Sequence, residues 1–214
     1  MIKFENIVTP SSYQWESIIM GMRNPLNSWD KSDSSWENLT GTEVYLIGEE
    51  DLALMSKLRK AGTDHGKFMR MITIYVNITA PLYWWKEFDT YKVGTVANSC
   101  STMHKIHAKP FTLDDFSHEH LTAESREVLL KTIDALNLAR EKFLETNDKT
   151  FWWQMIQLLP SSYNQMRTVM LSYEVLANIY KSRRTHKLDE WREFCTLVDL
   201  LPLSRLITGE GYEV

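Results

Sequence analysis

The chain predicts a helix-rich α+β domain with a small antiparallel sheet, and three observations predict it. Ile2–Val8, Glu43–Ile47 and Arg70–Ala80 alternate apolar and polar residues with the period of half-buried strands. Several other stretches, the longest from Thr122 to Thr146, repeat their apolar residues at helical spacing instead. The few strands lie early in the chain and a run of helices follows, an order that fits α+β.

Taken in order, the first strand is stopped by Thr9-Pro10-Ser11, and a helix starts at Ser11 or Ser12. Residues Asn24 to Thr42, rich in Asn, Ser, Asp and Gly, read as a long polar connection carrying Trp29 and Trp36. These two rings either cover the domain's own surface or dock on a ligand. After the strand Glu43–Ile47, a helix spans Glu49 to Ala61 and ends at Gly62. The strand Arg70–Ala80 puts Met71, Thr73, Tyr75, Asn77 and Thr79 on one side. Pro81 then suits a first helical turn, where its fixed φ helps and its missing amide is not needed.

The chain turns near Gly94 and passes through a loop rich in Ser, Thr and His from Asn98 to His120. The longest helix follows, with Val128, Leu129, Ile133, Leu136, Ala139 and Phe143 on one face. Phe151–Leu158 forms a short helix ended by Leu159-Pro160. Ser161 or Ser162 can cap a further helix reaching Ser182, with Met166, Val169, Met170, Tyr173, Leu176, Ala177 and Tyr180 as its stripe. A last helix, Leu188–Leu200, turns Leu188, Trp191, Phe194, Cys195 and Val198 inward. With no repeat or linker visible, residues 1–214 read as one domain.

A hydrophobic content of 43% lets a chain of 214 residues bury a core without staples. Cys100 and Cys195 lie in segments of different character behind no secretory leader, so a reducing cytoplasm and unpaired thiols are expected. No apolar run reaches the ~18–20 residues that cross a bilayer. A net charge of −4 argues against broad nucleic-acid binding, so an anionic ligand has to be met by local cations. His104-x2-His107 and His118-x-His120 come without a cysteine pair or a His-Glu-x2-His motif, and no metal site is expected. Arg183, Arg184, His186 and Lys187 form a basic cluster, but Asp189, Glu190 and Glu193 follow at once, which reads as a mixed helix surface. Ser99, Cys100 and Ser101 offer small donors on a loop, suited to a phosphate.

The order of residues from Ala80 to His104, APLYWWKEFDTYKVGTVANSCSTMH, resembles the signature of the flavin-dependent thymidylate synthases. Ala80-Pro81 matches its opening, and Glu87 and Phe88 take the places of Gln and Trp. Thr90-Tyr91-Lys92 takes the place of Arg-His-Arg, with only Lys92 cationic. The Ser of the signature falls on Cys100 without a gap, or on Ser101 with one inserted residue, which also aligns Asn98 with an Asn. Further along, Leu159-Pro160, Tyr163, Asn178 and Arg183 resemble the family's later helix, and Ala61 to Phe68 its Gly-His-x-x-Pro-Phe-Glu-His element.

The resemblance implies reductive methylation of dUMP to dTMP, with reduced FAD as hydride source and methylenetetrahydrofolate as carbon donor. It also implies a homotetramer with sites between subunits. It assigns Arg183 to the pyrimidine as the catalytic residue, and Thr90, Tyr91, Lys92 and Asn178 to FAD. Glu87, Asn98, Ser99, Cys100 and Ser101 fall to the nucleotide. Without the resemblance, Arg183 is a cation at a helix C-terminus, where it offsets the dipole by ~0.3–1 kcal/mol. Glu87 is a carboxylate where the family has Gln, so it is protonated, or pairs with Lys86 or Lys92, or the ligand differs. The lost Arg-His-Arg leaves an alternative: a non-catalytic or altered-substrate nucleotide- or flavin-binding protein of the same fold.

Overall fold

A computed structural model describes residues 1–209. The elements run β1 (Lys3–Val8), α1 (Ser12–Arg23), β2 (Ser35–Leu39), β3 (Thr42–Leu46), α2 (Glu49–Lys60), β4 (Thr73–Pro81), α3 (Leu82–Phe88) and β5 (Thr95–Ser99). Then come α4 (Ala123–Thr146), α5 (Lys149–Leu158), β6 (Asn164–Ser172), α6 (Tyr173–Arg183), α7 (Asp189–Asp199) and α8 (Arg205–Thr208). The class is the expected one, helix-rich α+β with small antiparallel sheets. One sheet has four strands in the order β1-β4-β6-β5, and β2 pairs with β3 in an antiparallel hairpin that sets Trp36 opposite Tyr45.

Three readings of the sequence are corrected. The segment after Ser161 does not begin as a helix: residues 164–172 form β6, and α6 starts only after Ser172, whose hydroxyl accepts from the Val175 amide. The Ser, Thr and His rich loop expected from Asn98 begins two residues later, because Thr95–Ser99, not read as a strand, pairs into the sheet as β5. The polar connection 24–42 contains β2, and Trp36 packs 4.7 Å from Tyr13 and 5.6 Å from Tyr45 while its indole N–H donates to Glu16. Trp36 therefore covers the protein's own surface.

Residue contacts divide the chain into two compact units, Met1–Glu5, Asn77–Thr90 and Ala97–Thr168 in one, Asn6–Val76, Tyr91–Val96 and the chain from Val169 onward in the other. In the first, α4 buries Leu129, Ile133, Leu136 and Ala139 with Met155 of α5, Ile106, Phe111 and Phe116. Its α3 contributes Trp84, Trp85 and Phe88, all buried and with ring centroids about 5 Å apart, at the edge-to-face and stacked geometries that aromatic rings favour.

In the second unit, Ile18, Met55, Ile72, Ile74, Tyr173, Leu176 and Trp191 are buried. Asp51, fully buried, accepts from Arg23 Nε at 2.6 Å, Ser32 Oγ at 2.5 Å and Ser34 Oγ at 2.6 Å, so the buried carboxylate is both paired and hydrogen-bonded. Asp33 accepts from the Glu50 and Asp51 amides in the first turn of α2, and these bonds hold its carboxyl below the usual range. A Cβ at Gly48 would overlap that carboxylate.

Candidate functional site

Within the second unit, α6 carries two of the expected residues on different faces. Asn178 and Arg183 are five residues apart, which turns their side chains about 140° from each other on a helix. Asn178 lines a cavity of about 590 Å³, a size usual for small ligands, with Glu174 and Lys181 of its own helix face, Arg184, and Arg59 from the end of α2. Arg59 is fixed there because its Nε and Nη2 donate to the carbonyls of Leu206 and Ile207 at 2.7 and 3.0 Å. Glu174 accepts from Arg70 Nε at 2.7 Å. The cavity wall thus holds three cations against one carboxylate that already has its own counter-ion.

Arg183 does not line this cavity. Its guanidinium lies 4.7 Å over Trp191 and 5.6 Å over Tyr91, and its Nε donates to the Tyr91 hydroxyl at 2.9 Å. Contact with two rings and a hydrogen bond to one of them hold the guanidinium in place. Tyr91 therefore meets Arg183 directly. Its neighbour Lys92 is exposed, as is Val93, and Gly94 adopts φ +78°, a left-handed conformation that lets the chain turn against Val175.

Within the first unit, Glu87 lies in the last turn of α3 and Thr90 just beyond its end, and Asn98, Ser99, Cys100 and Ser101 end β5 and begin the following loop. Glu87 is half-buried and its carbonyl accepts from Thr90 Oγ1 at 2.7 Å. Cys100 is exposed, its amide donates to Met166 O of β6 at 2.9 Å, and Ser101 Oγ accepts from the Met103 and His104 amides. The hydroxyl of Ser101 is therefore committed as an acceptor and keeps its proton for a further partner.

Two residues that the sequence reading passed over join these segments. On β6, Gln165 Nε2 donates to Cys100 O at 2.7 Å, and Arg167 Nε donates to Gln165 Oε1 at 3.1 Å. Arg167 Nη1 reaches Asp89 at 2.8 Å, and its guanidinium lies 4.2 Å over Trp85. Strand alternation puts residues 165 and 167 on one face. A helix, as expected from the sequence, would have turned them apart. Among the described residues no His, Cys, Asp and Glu cluster is placed to hold a metal ion, and no helix is long and apolar enough to cross a membrane.

No family model matches the chain, and no curated protein is close enough in sequence to match. Solved structures match along nearly its whole length. Thymidylate synthase X from Helicobacter pylori, in a crystal structure with FAD and dUMP, aligns over 97% of both chains with a TM-score of 0.65 and 16% identity. The chain shares its fold. A second crystal structure of that flavin-dependent thymidylate synthase, also with FAD and dUMP, gives a TM-score of 0.64 at 16% identity over 97% of this chain and 98% of the other. The UMP/dUMP methylase PolB from Streptomyces cacaoi, bound with 5-Br UMP, gives 0.56 at 12% identity over 93% and 87%. The likeness to this thymidylate synthase X fold is one of backbone, since so few residues are identical.

Proposed function

We propose that the chain binds FAD and a pyrimidine nucleotide and methylates the uracil ring at C5, the reaction of a flavin-dependent thymidylate synthase with dUMP. The end-to-end match to a protein crystallised with FAD and dUMP carries the reading, and the position of Asn178 on a cation-lined cavity supports it. The donor set of that cavity fits a flavin: an amide for the ring edge, and Lys181, Arg184 and Arg59 for anionic groups. Reduced FAD, when bound, supplies the hydride, and methylenetetrahydrofolate the carbon. Arg183, held by Tyr91 and Trp191, favours the ionised uracil ring and so raises electron density at C5. Lys92 and Thr90 complete the flavin contacts, and Glu87, Asn98, Ser99, Cys100 and Ser101 line the nucleotide. A homotetramer in the cytoplasm belongs to the same proposal, and sedimentation measures the first part of it.

Purified protein should take up FAD, show flavin absorbance and change that spectrum when dUMP is added. Protein that stays colourless with excess FAD overturns the reading. Growth of a thymidine-requiring strain on the cloned gene would establish catalysis. A second reading, that the site takes a different pyrimidine nucleotide, is favoured by the match to a UMP/dUMP methylase and by Glu87 standing where Gln is expected. Titrations with UMP and dUMP side by side decide it.

A further inference from the structure

We propose that Arg167 is a positioning residue that holds the two walls of the nucleotide site in register, an inference that rests on the function proposed above. The wall residues lie on separate segments, Glu87 to Thr90 at the end of α3 and Asn98 to Ser101 at the end of β5. One continuous chain of side-chain bonds connects them: Asp89 Oδ1 to Arg167 Nη1, Arg167 Nε to Gln165 Oε1, and Gln165 Nε2 to the carbonyl of Cys100.

Each link depends on the one before it. The guanidinium has N–H donors alone, so Gln165 must turn its oxygen toward Arg167, which leaves its NH2 group aimed at Cys100. Arg167 in turn is held flat by the face of buried Trp85 at 4.2 Å, and the Trp85 indole N–H donates to the Gln165 carbonyl at 2.9 Å. A planar fork can make both bonds from one stacked position, which an ammonium on a flexible stem cannot. Beside the backbone bond from the Cys100 amide to Met166 O, the carbonyl side of Cys100, where the loop to Ser101 begins, is thereby tied to a cation on β6.

Charge gives Arg167 a second task. Glu87 in the last turn of α3 and Asp89 at its C-cap put two carboxylates beside Thr90, where the resemblance leads one to expect an arginine. The ion pair joins a largely buried guanidinium, 15% exposed, to a carboxylate that is 46% exposed, and it offsets one of those negative charges near a phosphate-bearing ligand.

The test uses the full chain with FAD. Backbone amide exchange followed by NMR reads Cys100, whose amide is bonded to Met166 O. Arg167→Gln and the milder Asp89→Asn should each speed exchange at Cys100 and weaken dUMP or UMP binding about tenfold, with FAD uptake unchanged. The double variant should be no worse than Arg167→Gln, because both break one chain. Arg167→Lys should recover part of the nucleotide affinity through its charge while exchange at Cys100 stays fast. Cys100 exchange equal to wild type in both single variants, effects that add in the double variant, or lower thermal stability with unchanged nucleotide affinity overturns the proposal. Wild-type protein that binds neither nucleotide, while Arg167→Gln still loosens Cys100, removes the nucleotide reading and leaves the strut standing.

Discussion

Two strand-to-helix junctions, β4 into α3 and β6 into α6, do the same job with different chemistry. In β4 the inward set is Ile74, Val76, Ile78 and Ala80, and the outward set is Thr73, Tyr75, Asn77 and Thr79; β-branched residues fill three of the four inward places and two of the four outward ones. Its helix begins at Pro81, with a fixed φ and no side-chain cap. In β6 the sequence NQMRTVMLS mixes Gln, Met, Arg and Leu, all good helix formers, and one of its buried positions is Gln165. There the helix begins at the buried Ser172, through its hydroxyl. The first junction is written in local preference, and the second is set by pairing in the sheet and by polar partners distant in sequence.

That contrast can be broken or sharpened by experiment. Ile74→Ala in β4 and Leu171→Ala in β6, both essentially fully buried, should each cost ~2–5 kcal/mol in urea unfolding. A much smaller loss at Leu171 would mean that β6 is the looser strand and that its helical sequence preference survives in the fold. At the helix starts the order should separate: Ser172→Ala should cost ~1 kcal/mol through the lost cap. Pro81→Ala should cost less than ~1 kcal/mol, since it changes chiefly the freedom of the unfolded chain. Thermal denaturation of the two variants side by side measures the difference.

Asn77 of β4 accepts from Thr168 of β6 at 2.8 Å on an exposed face, and Asn77→Ala should cost a few tenths of a kcal/mol, within the ~0.2–1 kcal/mol usual for cross-strand pairs. The gentlest probe leaves the sequence alone. Burial, and then the charge of Asp199, pushes the Cys195 thiol up to about 11, whereas Cys100 is exposed. A folded-state value above the unfolded 9.0 gives a stabilising contribution that is complete below pH 9 and disappears as pH rises toward about 11. A thiol reagent at mildly alkaline pH should therefore titrate one equivalent, at Cys100, and a second only after unfolding.

Much of the fold was legible because it is locally specified. The strand at residues 73–81, the capped start of α1, the long α4 with Leu129, Ile133, Leu136 and Ala139 buried, and the inward face of α7 all follow from periodicity and end signals. β5 was hidden because Thr95–Ser99 is five residues with only Thr95 partly buried, so no alternation marks it. At the candidate site, the resemblance named Arg183 and Tyr91, but that the tyrosine hydroxyl accepts from the arginine is a fact of three dimensions. Arg59 carried no signal, since its partners are main-chain carbonyls at 206 and 207, which any residue provides. Arg167 was missed for a different reason: placing it on a helix hid its strand-face neighbour Gln165.

The carboxylate at residue 51 has a consequence for anyone rebuilding the hairpin region. One buried anion gathers a guanidinium from the end of α1 and two hydroxyls from the stretch leading to β2, so three stretches of chain share a single anchor. Neutral replacement of either charged member alone strands the other in the interior, whereas exchanging both together for apolar groups of matching volume need not weaken the protein. Remodelling of that region has to proceed by pairs.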